Sequence, residues 1–280
     1  MTIEAALAAC EETVRRTDPD RYLSALFAPE ERRPLLFALY AFNHEIARIG
    51  DTVREPMMGE IRLEWWREAI AEAQDGRPRA HDVVRGVAEL FARVGPPLEP
   101  FEAMIDARQF DLGGEFFADL NALVAYTDAT SGSLMRLASE ILLDGEKIGD
   151  VAHEAGVAYG LTGILRALPF KASQQKLYLP ADLLKAEGIA PDEIFAGNAD
   201  ASKLARVKSA VAAHARAHYE AARKRQIPGH SLPALMPAGL VPLYLRKLSR
   251  TGFDPLRGSS DVANYRKQIS FLHAALTGKL

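Results

Sequence analysis

GVAYGLTGILRALPFKASQQKLYLPADLL, residues 156–184, carries glycine at 156, 160 and 163 and alanine at 167. The spacing i, i+4, i+7, i+11 sets all four small residues on one face of a helix. The apolar periodicity predicts that helix over about 148–168, with Pro169 stopping it. A glycine inside a helix costs on the order of 1 kcal/mol against alanine. Three on one face therefore need a reason: either another backbone comes close there, or the face leaves room beside it. Arg166 stands next to the stripe, and Lys171 and Lys176 follow it, placed to meet an anion. The rest of the stretch reads as a loop entering a short helix at Pro180.

A second helix carries a matching signal. In RYLSALFAPEERRPLLFALYAFNHEIARIGDTV, residues 21–53, positions Tyr40, His44, Ala47, Arg48 and Asp51 follow i, i+4, i+7, i+8, i+11 and share one face. Three ionisable groups beside LLFALYAF predict a helix, from about residue 29 to Pro56, that faces a polar cavity. Further helices are predicted over 59–73, 82–93 with Asp82 as cap, 100–110, 119–143, 200–224 and 261–276. Strand-like alternation is missing. The expectation is an all-α chain of about ten helices, one domain over 1–280, built around a central cavity.

Composition narrows the function. The 280 residues are 25% charged and 48% hydrophobic with a net charge of -3, so nothing suggests a phosphate-backbone binder and no nucleic acid is expected. The single Cys10 excludes an intramolecular disulfide and a Cys-rich metal site, and fits a reducing compartment. Glu4, Glu11 and Glu12 do not suit a targeting segment. With no run of 18 apolar residues, the expectation is a cytoplasmic protein whose membrane contact is at most peripheral, on the inner membrane. Gln226 to Leu245 lacks any charged residue and is followed by Arg246, Lys247 and Arg250, yet its four prolines break a regular amphipathic helix. Burial is expected instead, with Leu235, Leu240, Leu243 and Leu245 in the core. No GxGxxG, Walker, GxSxG or HExxH motif occurs. His214 and His218, one turn apart near Glu220, imitate two metal ligands but read as the wet side of a helix. Trp65 and Trp66 read as rim and core.

Residues 21–53, 126–142 (YTDATSGSLMRLASEIL) and 156–184 resemble, in order, three segments of the squalene/phytoene synthase family. The resemblance implies the isoprenoid (terpenoid) synthase fold, an all-α bundle around a deep apolar cavity. It also implies a pair of Asp-rich helices that hold Mg²⁺ against two prenyl diphosphates, whose leaving groups need hard cations with oxygen ligands. Here the first motif has Ala47 and Arg48 where the family's leading Asp and its neighbour stand, and Asp51 is the only surviving metal-ligand position. In the second, Gly160 and Gly163 occupy the family's Gln and Asn positions. Ala167 replaces the first Asp there, and Phe170 and Lys171 fall near the second, while Arg166 is kept. Glu45 lies roughly 200° round the helix from Ala47 and cannot substitute for it.

Residues 40–70 and 160–189 are similar to the branch that includes the mitochondrial factor needed for respiratory complex I assembly and its alphaproteobacterial relatives. The resemblance thus implies a non-catalytic protein in assembly of a membrane respiratory complex. Such a protein would have respiratory-complex subunits as partners, an apolar isoprenoid or lipid as ligand, and no metal or other cofactor. The alternative is a prenyltransferase joining two prenyl diphosphates head-to-head, using Mg²⁺, in squalene, phytoene or hopanoid precursor synthesis. The residues expected at the cavity or remnant substrate site are Tyr40, His44, Arg48, Asp51, Tyr126, Gly160, Gly163 and Arg166. Beside Arg48, Asp51 is expected to contribute only ~0–1 kcal/mol of stability.

Overall fold

Short polar side chains open several helices: Thr2, Asp18, Asp119 and Asp200 each accept a hydrogen bond from a first-turn backbone amide. Gly95, Gly188 and Gly278 close others in the left-handed conformation. The computed structural model describes residues 2–250, 252–254 and 256–280. Its α-helices are α1 (Ile3–Thr17), α2 (Pro19–Ala25), α3 (Arg33–Ala47), α4 (Ile49–Thr52), α5 (Pro56–Gln74), α6 (Asp82–Val94), α7 (Glu99–Ala107) and α8 (Leu120–Thr127). They continue as α9 (Ser133–Leu142), α10 (Asp150–Ser173), α11 (Ala181–Glu187), α12 (Pro191–Phe195), α13 (Ala201–Arg223), α14 (Leu232–Leu235), α15 (Val241–Leu248) and α16 (Asn264–Thr277). No strand occurs among the described residues.

Several boundaries differ from the sequence expectation. The helix expected over 29–53 breaks at Arg48 into α3 and α4. Pro56, expected only as a stop, is the first residue of α5, where its missing N–H costs nothing. His81, not Asp82, is the cap of α6. The 119–143 helix is continuous only through a π-helical insert, Asp128–Gly132, between α8 and α9. The largest difference is in α10, which passes through Pro169 to Ser173. An interior proline removes one backbone hydrogen bond, but the turn around it is held from outside. Leu168 and Ala172 are buried, and Lys171 pairs with Asp51 of α4.

Two large apolar clusters make the core. One gathers α1, α3, α5, α6, α7 and α9; the other gathers α8, α10, α11, α13 and α15. A smaller one, with Tyr244, Phe271 and Ala274, seats α16 against the 236–244 segment. Leu235, Leu240 and Leu245 are buried and Leu243 half-buried, so the leucines of the uncharged stretch pack into the core, as expected. Trp66 is buried and Trp65 sits at the rim.

The glycine face of α10 serves both purposes its spacing allowed. A Cβ on Gly156 would lie 2.4 Å from Gly132 Cα, and one on Gly160 would lie 2.9 Å from Thr127 Cβ. There the π insert and the end of α8 press directly onto the helix. A Cβ on Gly163 would meet nothing within 4 Å. The same substitution should therefore change sign along one helix. Gly163→Ala is expected to stabilise by up to about 1 kcal/mol through helix propensity. Gly156→Ala is expected to destabilise by about 1–3 kcal/mol through overpacking against backbone. Urea unfolding of the two variants checks this; equal signs would contradict the close approach.

Candidate functional site

The room beside Gly163 is part of a cavity of about 230 Å³. Gly160, Gly163, Ala167 and Lys171 of α10 form one wall, and Thr127, Thr130 and Ser131 at the π insert form another. Asn43 of α3, Arg21 of α2, and Arg108, Asp111, Tyr126, Tyr159 and Tyr178 add polar lining, and Ile164, Leu168 and Leu179 the apolar part.

Two buried charge networks bound it. At one end, Tyr126 and Tyr178 each donate a hydroxyl hydrogen bond of 2.7 Å to Asp111 Oδ1, and Arg108 donates to Asp111 Oδ2 at 3.2 Å and to the Tyr126 hydroxyl at 2.8 Å. Phe110, Phe117, Tyr126 and Tyr178 pack ring against ring around this end. Burial pushes the Tyr126 and Tyr178 hydroxyls upward, so both stay protonated donors. Lys176 hydrogen-bonds the carbonyls of Gly50 and Asp111, tying α4 to the Arg108–Leu112 turn. Gly50 is required there, because a Cβ would lie 2.8 Å from Asp111 Cβ. At the other end, Arg21 pairs with Asp18 at 2.6 Å and faces the rings of Tyr40 and Tyr159. Burial opposes the Arg21 charge, but Asp18 and the two phenols outweigh it and hold the guanidinium protonated.

Of the residues expected at the site, Tyr126, Gly160 and Gly163 line the cavity. Tyr40 is buried one layer behind, under Arg21. Asp51 does not line the cavity either; it stands behind the lining Lys171, its partner at 2.5 Å, rather than beside Arg48. This pair is mostly buried, its side chains 18% and 23% exposed, so loss of Asp51 is expected to cost about 1–2 kcal/mol, more than a surface ion pair. His44, Arg48 and Arg166 do not line the cavity. The chain turns at Arg48, between α3 and α4, so the single-helix projection ends there. Arg48 points outward to Glu45 and into a separate groove with Thr52, Arg62 and Trp65. His44 is half-buried on the same side; burial first, and then Arg48, lowers its pKa. Arg166 lies about 60° round α10 from Gly163. Its guanidinium turns past the cavity, 3.6 Å from Asp20 and 3.7 Å from the Tyr244 ring centroid.

Sequence reading missed Arg21, Arg108, Asp111, Tyr159 and Tyr178. Arg108 and Asp111 stand i, i+3, which is a local pairing signal, but in a turn where helical periodicity fails. The histidine pair also resolves differently: His218 bonds Glu154 of α10 at 2.6 Å, while His214 stays exposed and Glu220 pairs with Arg223.

Whether the cavity suits Mg²⁺ follows from its donors. Of the four aspartate positions implied by the family, two are methyl groups, Ala47 and Ala167. Near the third stand Phe170 and Lys171, and the Lys171 ammonium lies against the surviving Asp51 carboxylate. A fixed single positive charge thus joins α4 to α10 where the family pattern implies a divalent ion between two helices. Asp111 is saturated by Arg108 and two tyrosines. Among the described residues, no set of three metal-ligating side chains meets at the cavity. The residues present do not fit Mg²⁺.

The sequence profile of squalene/phytoene synthase matches residues 14–271. NADH dehydrogenase (ubiquinone) complex I, assembly factor 6, from Bos taurus is 29% identical over 248 residues, 88% of this chain and 74% of that protein. Presqualene diphosphate synthase of Rhodopseudomonas palustris is 31% identical over 205 residues, 72% of each chain. Among solved structures, a dehydrosqualene synthase in complex with ligand aligns with TM-score 0.79 at 20% identity, covering 97% of this chain and 95% of that one. Squalene synthase HpnC from Alicyclobacillus acidocaldarius aligns with TM-score 0.73 at 19% identity, covering 88% and 95%. The architecture is the all-α isoprenoid synthase fold, and the chain belongs to the squalene/phytoene synthase family.

Proposed function

We propose that this chain is a non-catalytic member of its family, one domain over 1–280, acting in assembly or maturation of respiratory complex I. Its cavity would hold a single apolar isoprenoid or lipid chain. The observation that carries the reading is the Asp51–Lys171 pair between two alanine positions, Ala47 and Ala167. Without paired carboxylates, nothing at the rim holds the hard cations that a departing diphosphate needs. The cavity volume supports the same reading. At about 230 Å³ it falls below the roughly 300–1,000 Å³ of ordinary small-ligand sites and suits one chain rather than two prenyl diphosphates. The similarity to complex I assembly factor 6 supports a respiratory-complex subunit as partner. No helix among the described residues is long and apolar enough to cross a membrane, which is compatible with peripheral contact at the inner membrane from the cytoplasmic side.

Two measurements test this. Purified protein with farnesyl or geranylgeranyl diphosphate and Mg²⁺ is expected to release no pyrophosphate above the buffer rate. Enzyme-like release would overturn the reading and favour the prenyltransferase alternative, which the similarity to presqualene diphosphate synthase keeps specific. Deleting the gene in its host is expected to lower assembled complex I, with recovery by the wild-type chain. An unchanged complex I level would remove the assembly role.

A further inference from the structure

We propose that α16 is a membrane-docking face that lies flat on an anionic lipid surface. Tyr265, Ile269, Leu272 and Leu276 recur at i, i+4, i+7, i+11 and are 63%, 61%, 53% and 86% exposed. Their projections fall within about 60° of arc, so they form one outward stripe. Leu26 and Phe27 of the α2 end are also exposed, and the Phe27 ring packs on Phe271 of α16, extending the patch. Scattered apolar side chains need no explanation, but a continuous row on one helix does.

The rotation of α16 is fixed from inside. Its opposite face carries Phe271 and Ala274 in the core, and Lys267 turns inward to donate to Asp20 at 2.7 Å. The outward row therefore cannot fold into the core by turning the helix without stranding the Lys267 charge.

Charge selects the occupant. Residues 246–280 contain seven Lys and Arg against two Asp, whereas residues 1–245 contain 27 against 35. The helix itself has no acid; Arg266 and Lys279 are exposed beside the stripe. An apolar row flanked by cations, at the basic end of an acidic protein, matches anionic headgroups over acyl chains. The apolar residues of 231–245 are not that face, because Leu235, Leu240 and Leu245 are buried.

The test uses the intact protein and vesicles only, so it is independent of any role in complex I. Flotation with phosphatidylglycerol/phosphatidylcholine vesicles is expected to carry the wild type at least about tenfold more than pure phosphatidylcholine. The variant I269E/L272E is expected to lose that binding with its melting temperature unchanged, because both side chains are exposed. R266E/K279E is expected to weaken binding about tenfold or more and to flatten its salt dependence. Absent binding, or equal binding by I269E/L272E, would overturn the proposal. So would a wild-type dimer that I269E/L272E converts to monomer without any vesicle binding, since the stripe would then meet a second copy.

Discussion

Asp20→Ala is expected to lower the unfolding free energy by about 3–5 kcal/mol, the usual result of removing one partner from a buried ionic network. Asp20 is 3% exposed. Its Oδ2 accepts hydroxyl hydrogen bonds from Tyr244 at 2.5 Å and Tyr159 at 3.1 Å, and its Oδ1 accepts from Lys267 at 2.7 Å. Arg166 adds a second cation at 3.6 Å. One carboxylate thus joins α2, α10, α15 and α16. Alanine would strand the Lys267 ammonium, 7% exposed, and leave two tyrosine hydroxyls without their acceptor. Burial alone would raise the Asp20 pKa, but the hydrogen bonds from Lys267 and Tyr244 and the nearby charges outweigh it and hold it below its ordinary value. A carboxylate depressed in the folded state stabilises above its unfolded pKa of about 3.9 and loses that contribution as pH falls through the lower folded value. Wild-type stability should therefore fall below about pH 4 by an amount missing from Asp20→Ala. Guanidinium unfolding at pH 7 and across pH 2–5 measures both; a loss under 1 kcal/mol at neutral pH would show that water already solvates the site.

What could be read from the sequence divides by range. The cavity wall at Gly160 and Gly163 was legible because helical spacing repeats within eleven residues, and Tyr126 was legible from the segment around it. Asp20 and Lys267 are 247 residues apart, and the Tyr244–Asp20 bond spans 224; no local pattern announces such partners. Arg166 turns to Asp20 beyond the cavity lining, since a residue beside a stripe can turn either way until its partner is known. Arg48 failed for a different reason. A single-face projection needs one helix through residue 53; the turn at Arg48 redirects everything after it, and Asp51 meets Lys171 of α10 instead. Local propensity opposes a helix at Pro169; burial and that same ion pair offset it.

Asp111→Ala is expected to be as damaging, about 3–5 kcal/mol, and it allows the cause to be isolated. Asp111 is buried beneath the cavity, where Arg108 has few alternatives: its Nε already finds no hydrogen-bond acceptor among the described residues. Removing the carboxylate would leave a desolvated guanidinium whose remaining acceptor is the Tyr126 hydroxyl, and would take the acceptor from Tyr178 as well. If the loss comes from the stranded charge, then Arg108→Leu added to Asp111→Ala should recover at least half of it, because two apolar groups of similar bulk replace the pair. If the loss comes instead from the missing contacts to Tyr126 and Tyr178, the second substitution should add further damage. Tyr178→Phe alone, which removes a single hydroxyl, should cost about 1 kcal/mol. The double-mutant cycle in urea at pH 7 separates the two causes. Stability of the double variant below that of Asp111→Ala would assign this end of the cavity to hydrogen bonding rather than to charge compensation.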